Sequence, residues 1–242
     1  MEIFDDGQHP RAKLGFVLLA TEQTIEENMF RLGPDGVGLH FTRAAIPDSI
    51  TIESLSAQAG DLAGAASTLL PDGSLDVIAY ACTSGSLVIG EDRVFEQLKK
   101  GAPAAEPTSL ITSVMRALRH VGARKIAVAT PYLDEINRRE CDYLANRGFE
   151  VTAIAGLNLE KDSDMIRVRP DYIAEFAAGL DTPDTDALFI SCGALRSLDI
   201  VDALERRIGK PVICSNQALM WDMLRLAGID DKIGGYGGLL AN

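Results

Sequence analysis

Short apolar runs alternate with amphipathic segments along almost the whole chain. Near-continuous runs of Val, Ile, Leu and Ala are typical of parallel strands that are covered on both faces. The runs predict strands at residues 13–20, 37–43, 75–82, 125–130, 150–155, 187–192 and 211–214. The segments between them predict helices at 51–70, 86–100, 107–121, 133–148, 170–180, 196–208 and 216–228. This alternation predicts an α/β protein with parallel sheets.

Two segments interrupt the alternation. Residues 101–107 contain two prolines, which predicts a loop or an edge strand. Residues 234–238 read GGYGG and predict a flexible loop. Neither segment has the glycine spacing of a phosphate-binding loop.

The strand pattern repeats at a spacing of about 110 residues, which is typical of a duplicated unit. Lys13 and Lys125 each open a strand, and the strands led by Asp76 and Asp186 each run into a cysteine. Any α/β chain can repeat strands at such intervals, but the matching cysteines favour a duplication into two similar lobes.

Composition narrows the class of protein. The chain has 242 residues, which corresponds to one or two domains, and 47% of them are hydrophobic. Its net charge of −12 argues against nucleic acid and anionic membranes as partners, but not against a small anionic substrate. The apolar run at 14–20 is too short to span a membrane. An acidic, polar start is unlike a secretory signal, so we expect a cytoplasmic protein.

Four separated cysteines and three separated histidines indicate free thiols and no zinc site. Cys82 and Cys192 follow strands and precede helices, where amide groups and the helix dipole lower the pKa of a thiol toward neutrality. Such a thiol can act as a base, an acid or a nucleophile. A single cysteine at a strand end is more often inert packing, and we interpret Cys141 and Cys214 in this way.

Other polar residues stand at predicted strand ends, where open α/β sheets bind ligands. The hydroxyl groups of Thr83 and Ser84 either cap a helix or hold a carboxylate or enolate oxygen. Tyr132 either caps its helix or contacts the ligand. The remaining candidates are Thr21, Glu22, Asn158 and Gly193.

Several segments together resemble the aspartate/glutamate racemase superfamily, near maleate cis–trans isomerases and arylmalonate decarboxylases. They are GFVLLATEQTIE at 15–26, YACTSGS at 80–86, ATPYLDEIN at 129–137, GLN at 156–158 and SCGALRS at 191–197. The segment LATEQTIE at 19–26 looks most like the ectoine-utilisation protein A branch.

The resemblance implies two pseudo-symmetric flavodoxin-like lobes, each a mainly parallel sheet flanked by helices, with the active cleft between them. The first lobe would comprise residues 1–121 and 215–242, and the second residues 122–214. It also implies an enzyme without metal or cofactor that acts on a small carboxylate, and it is compatible with a homo-oligomer.

By position, the resemblance makes Cys82 a nucleophile or first base and Cys192 the opposing acid or base. Thr83, Ser84 and Tyr132 match carboxylate-binding residues, and Asn158 matches an asparagine of the maleate isomerases. Glu22 stands where those isomerases carry an asparagine. A carboxylate that faces the cleft there would favour a positively charged substrate over maleate. The alternative is that Glu22 points to solvent and caps a helix.

The sequence therefore predicts a racemase or isomerase of a small carboxylate that uses one thiol on each face of the substrate, with an ectoine-related or amino-acid-like compound as candidate. Three alternatives stay open. One is cis–trans isomerisation through a cysteine adduct. Another is decarboxylation, although the resemblance implies glycine at the first cysteine position of decarboxylases. The third is a non-catalytic binding protein with two lobes, disfavoured by the paired cysteines.

Overall fold

A computed structural model describes residues 3–242, which form two four-stranded parallel sheets flanked by helices. The first sheet has the order β2-β1-β3-β4 and the second the order β6-β5-β7-β8. The strands are β1 (Ala12–Leu19), β2 (Val37–Ala44), β3 (Val77–Tyr80), β4 (Glu106–Ser109), β5 (Lys125–Thr130), β6 (Glu150–Gly156), β7 (Ala187–Ile190) and β8 (Val212–Cys214).

Equivalent strands take equivalent places in the two sheets, so the prediction of two similar lobes is confirmed. The repeat extends to individual hydrogen bonds. Asp76 Oδ2 accepts from the backbone N–H of Lys13 at 2.8 Å, and Asp186 Oδ2 accepts from that of Lys125 at 2.7 Å. In each lobe, an aspartate before the third strand thus fixes the start of the first strand.

Helices connect the strands and cover both sheets. They are α1 (Ile25–Leu32), α2 (Ile52–Ala57), α3 (Leu62–Ala66), α4 (Thr83–Ile89), α5 (Glu91–Gly101), α6 (Leu110–His120), α7 (Asp134–Ala145), α8 (Asp162–Met165), α9 (Pro170–Ala178), α10 (Val201–Ile208), α11 (Ser215–Leu226) and α12 (Gly238–Ala241). Short 3₁₀ turns lie at Gln58–Gly60 and Leu198–Ile200.

The predicted helices differ from the observed ones in several places, and the helix predicted at 51–70 is divided into α2, a 3₁₀ turn and α3. The helix predicted at 86–100 is two helices, because Gly90 between them has φ +88°. The segment predicted as a helix from 107 begins as β4 at the edge of the first sheet, and the helix starts only at Leu110. Helix α1 was not predicted, although Ile25, Met29 and Leu32 form its buried face.

Helix α11 returns from the second sheet to the first lobe and packs mainly on α6 and α1. The exact lobe boundaries stay a prediction. No helix within residues 3–242 combines the length and the apolar character needed to cross a bilayer.

Candidate active site

Strands β3 and β7 run into a small shared cavity between the lobes. Cys82 follows β3 and Cys192 follows β7, and both side chains line this cavity. Its other polar lining residues are Glu22, Thr83, Ser84, Tyr132, Asp162 and Gly193, and its apolar ones are Leu19, Ile50, Ala81, Met165 and Ala194. The cavity is thus built from both halves of the duplication, with one thiol from each.

Cys82 is held in place by the first turn of α4. It is the N-cap of that helix, and its Sγ accepts a hydrogen bond from the N–H of Gly85 at 3.2 Å. The hydroxyl of Ser84 lies 3.6 Å from the same sulfur. Gly85 is required here, since any Cβ at this position would collide with the ring of Tyr80.

Cys192 has an unusual backbone conformation. Its φ of +93° lies in a region that residues with a side chain rarely adopt, and such strain is found mainly at functional sites. The next residue, Gly193, packs against Ile25, and its carbonyl accepts from Asn216 at 2.9 Å. These contacts fix the turn that points the Cys192 thiol into the cavity.

The expectation that helix amides lower the pKa of both thiols is wrong for this structure. Burial raises the pKa of Cys82 to about 11, and the hydrogen bonds from Gly85 and Ser84 offset only part of that rise. Burial also raises the pKa of Cys192 well above its ordinary value, and the negative charge of Asp162 adds to the effect on both thiols. The two groups are therefore thiols, not thiolates, at neutral pH.

The predicted hydroxyl groups are brought together beside the thiols. Thr83, Ser84 and Tyr132 all line the cavity and are nearly completely buried. A turn between β5 and α7 positions Tyr132, whose N–H donates to Thr130 Oγ1 at 3.2 Å and whose carbonyl accepts from Asn137 at 3.3 Å. Tyr132 lines the cavity and does not cap its helix, because Leu133 is the N-cap of α7.

Glu22 lines the cavity and does not point to solvent, although it also caps a helix. Its side chain is 5% exposed, and Oε1 accepts from the N–H groups of Thr24 and Ile25 at the start of α1. Burial raises the pKa of Glu22 to about 7, and the charge of Asp162 contributes to the rise.

Asp162 was missed by the sequence analysis. It begins the short helix α8, is 3% exposed and lines the cavity, and burial raises the pKa of its carboxyl group. Its segment has no periodic apolar pattern, so no local signal distinguished this aspartate from its exposed acidic neighbours.

Two predicted residues are placed differently from what was expected. Asn158 is exposed and absent from the cavity lining, because it occupies a turn after β6 with φ +56°, a conformation that asparagine tolerates well. Thr21 does not line the cavity either. Its hydroxyl donates to Asp162 Oδ2 at 2.6 Å and so positions a residue that does.

A contact between the lobes closes one side of the cavity. The N–H of Ile50 in the first lobe donates to the carbonyl of Glu160 in the second at 2.8 Å. Asp48 accepts from the N–H and the hydroxyl of Ser163 at 2.9 and 2.6 Å. We call this contact, formed by residues 48–50 and 160–163, the interlobe clasp.

The site shows no dedicated metal centre. Within residues 3–242, no three side chains of His, Cys, Asp or Glu are arranged to hold a metal ion. The absence of a cofactor stays a prediction.

Comparisons with known proteins agree with the fold. A maleate cis–trans isomerase from Nocardia farcinica, solved as a cysteine-to-serine variant with a covalently bound succinylcysteine intermediate, superposes with a TM-score of 0.87 and 25% identity. The match covers 95% of this chain and 98% of that one. A maleate isomerase from the same organism is 29% identical over 179 residues, 71% of each protein.

The family itself is shown by a sequence model. An arylmalonate decarboxylase from Bordetella bronchiseptica is 37% identical over 135 residues, which is 54% of this chain and 56% of that enzyme. The match thus spans little more than half the length of that relative. The family model described as arylmalonate decarboxylase matches residues 43–240, most of the chain. The chain therefore belongs to the arylmalonate decarboxylase family.

Proposed function

We propose that this protein is a cofactor-independent isomerase or racemase that acts beside the carboxylate of a small compound. The observation that supports this proposal most is the pair of thiols, one from each lobe, in a single cavity. Two groups that face one small volume from opposite lobes can serve opposite faces of a bound substrate. Proton transfer by positioned side chains of this kind is a common source of catalysis.

The hydroxyl groups would hold the substrate carboxylate. Thr83, Ser84 and Tyr132 offer three donors next to the thiols, in a site from which bulk water is largely excluded. Donors fixed in advance stabilise the negative charge that develops on an enolate oxygen. We assign them this role in the reaction.

In a racemisation, the ionised thiolate of one cysteine takes the proton from the carbon next to the carboxylate. The thiol of the other cysteine then gives its proton to the opposite face. One C–H bond breaks and one forms, and the two sulfurs exchange protonation states. The enzyme returns to its starting state when a proton passes between the two sulfurs through solvent.

Cis–trans isomerisation is the second candidate, and a specific observation favours it. A solved relative contains a succinylcysteine intermediate, a carbon–sulfur adduct. In this chain, the sulfur of Cys82 would add to a carbon–carbon double bond while the neighbouring carbon gains a proton. Rotation about the resulting single bond, followed by loss of the proton and the sulfur, would give the other isomer.

Decarboxylation is the third candidate, supported by the family model and by the relative from Bordetella bronchiseptica. That reaction needs only one proton donor for the carbanion left after CO₂ departs. Release of CO₂ from a malonate-type substrate would identify it.

The deciding experiment measures turnover of small carboxylates in deuterium oxide by wild type, Cys82→Ser and Cys192→Ser, with Cys141→Ser as control. We expect each active-site substitution to reduce turnover by at least a hundredfold and the control to leave it unchanged. Racemisation incorporates deuterium next to the carboxylate of every product molecule. Full turnover in both active-site variants, or binding without turnover, would contradict the proposal.

The known relatives give no support for three finer predictions from the sequence. An ectoine-related substrate, a cytoplasmic location and a homo-oligomer stay predictions.

A further inference from the structure

Two buried carboxyl groups, one from each lobe, line the same cavity as the thiols. Glu22 follows β1 in the first lobe, and Asp162 begins α8 in the second. Their side chains are 5% and 3% exposed. Burying a carboxylate is costly unless it gains a partner, so both groups need a reason to lie here.

Each carboxyl group has one oxygen bound by the protein and one that is not. Glu22 Oε1 accepts from the start of α1, and Asp162 Oδ2 accepts from Thr21. Among residues 3–242, no hydrogen bond reaches Glu22 Oε2 or Asp162 Oδ1, yet neither is among the fully enclosed atoms that lack a partner. Both free oxygens are therefore partly accessible, and they belong to side chains of residues that line the cavity.

Within residues 3–242, the cavity lining supplies no cation to balance this pair. No Lys, Arg or His is among the residues that line the cavity. Arg43, which contacts the backbone of Glu22, donates to the carbonyls of Leu19 and Glu22 and to the carboxylate of Glu26. The lining of the cavity thus offers the two carboxyl groups no positive charge of its own, and a cationic ligand would supply it.

We propose that Glu22 and Asp162 form a subsite for a cationic group of the substrate, an ammonium or an amidinium, at a position away from its carboxylate. This inference rests on the proposed function, because it names the substrate class of the same site. A zwitterion would place its carboxylate on Thr83, Ser84 and Tyr132 and its cation between the two acids. A dicarboxylate would bring a like charge against them and is disfavoured.

A cation at this subsite would also activate the thiols. The negative charge of Asp162 contributes to the raised pKa of Cys82 and of Cys192. A positive charge on the ligand offsets that effect and lowers the pKa of both thiols. The correct substrate would therefore favour the thiolate that the reaction needs.

The test compares three ligands of equal chain length that differ in one terminal charge. They are cis-4-aminobut-2-enoate (cationic end), maleamate (neutral end) and maleate (anionic end). Dissociation constants are measured at pH 8 by calorimetry on full-length Cys82→Ser, in which turnover does not interfere. We expect the cationic ligand to bind at least tenfold tighter than maleamate, and maleamate tighter than maleate.

Two substitutions assign this preference to the acids. Glu22→Gln and Asp162→Asn keep the oxygens that accept from α1 and Thr21 but remove the charge. Each should reduce the cationic preference by about tenfold and improve maleate binding. The control is Glu26→Gln in the first turn of α1, whose carboxylate contacts Arg43 outside the cavity and should not alter the order.

A pH series adds a readout that loss of structure would not reproduce. Protonation of Glu22, whose pKa is about 7, should weaken binding of the cationic ligand as the pH falls from 8 to 6. The proposal is overturned if the cationic ligand binds no better than maleamate, including the case in which neither binds. The thiol substitutions test the proposed function separately, because the order of affinities does not depend on turnover.

Discussion

Ser191, the residue immediately before Cys192, donates a 2.7 Å hydrogen bond to Oε1 of Glu140. Glu140 lies on α7, is fully buried, and its Oε2 has no hydrogen-bond partner. Burial raises the pKa of this carboxyl group to about 7, with only the Ser191 bond opposing the rise. The folded protein therefore holds Glu140 in its neutral form up to neutral pH.

This neutral state predicts a pH-dependent gain in stability from Glu140→Gln. The pKa of Glu140 is higher in the folded chain than in the unfolded one, so its protonation stabilises the fold. This contribution is complete below pH 4.5 and is lost as the pH rises to about 7. The loss is about 3 kcal/mol at 1.36 kcal/mol per unit of pKa. Glutamine does not titrate, so its stability relative to wild type should rise by about that amount between pH 5 and pH 8.

Urea unfolding at both pH values measures this difference. The control is Glu135→Gln, an exposed carboxylate on the same helix, which should show no such change. An equal stability difference between Glu140→Gln and wild type at pH 5 and pH 8 would mean that Glu140 is already ionised in the fold.

The strand pattern predicted most of this architecture, because parallel strands buried on both faces leave long apolar runs. It also placed both cysteines, since the repeat puts them at equivalent strand ends. The error in their pKa has a physical cause. The helix that follows a cysteine can be predicted from the sequence. The burial of the thiol, which outweighs the effect of the helix dipole, depends on how the opposite lobe packs.

Asp162 and Asn158 show where sequence reasoning reached its limit. Asn158 stands next to a predicted strand end, but its left-handed turn leaves the side chain exposed. Asp162 reaches the cavity only because the interlobe clasp holds its segment against the first lobe. Such contacts between distant segments leave no periodic signal in the sequence.

The raised pKa values predict slow alkylation of the two cavity thiols, Cys82 and Cys192. Iodoacetamide reacts with the thiolate, and at pH 7 a thiol of pKa about 11 is ionised several hundredfold less than free cysteine. Cys82 should therefore react far more slowly than the half-buried Cys141. Its rate should rise about tenfold per pH unit from 7 to 9.

Peptide mass spectrometry after timed alkylation follows each cysteine separately. Cys141 provides the internal reference in the same sample. A rate for Cys82 at pH 7 equal to that of free cysteine would show that burial does not raise its pKa.

The interlobe clasp predicts how access to the cavity is controlled. Asp48→Ala removes both hydrogen bonds to Ser163 while leaving the cavity residues intact. We expect amide exchange at Ile50 and Asp162 to accelerate by about tenfold, because local opening is governed by few such bonds. Cys82 should also be alkylated faster.

Hydrogen exchange and the same alkylation assay measure both effects. Asp72→Ala is the control, since Asp72 accepts comparable bonds from Ser74 in an exposed turn of the first lobe. Unchanged exchange in Asp48→Ala would show that the backbone pairing between the lobes closes the cavity without this side chain.

The backbone of Cys192 predicts that glycine at this position gives a more stable fold than alanine. Its φ of +93° costs a residue with a Cβ about 1 kcal/mol or more, whereas glycine adopts it freely. Cys192→Gly should therefore be more stable than Cys192→Ala by about 1 kcal/mol in urea unfolding, although both lose the thiol. Cys82 provides the matched comparison, because its extended backbone has φ −140°. There, Cys82→Gly should be less stable than Cys82→Ala, since glycine only adds freedom to the unfolded chain. The same order of stability at both positions would show that the turn at Cys192 is not strained.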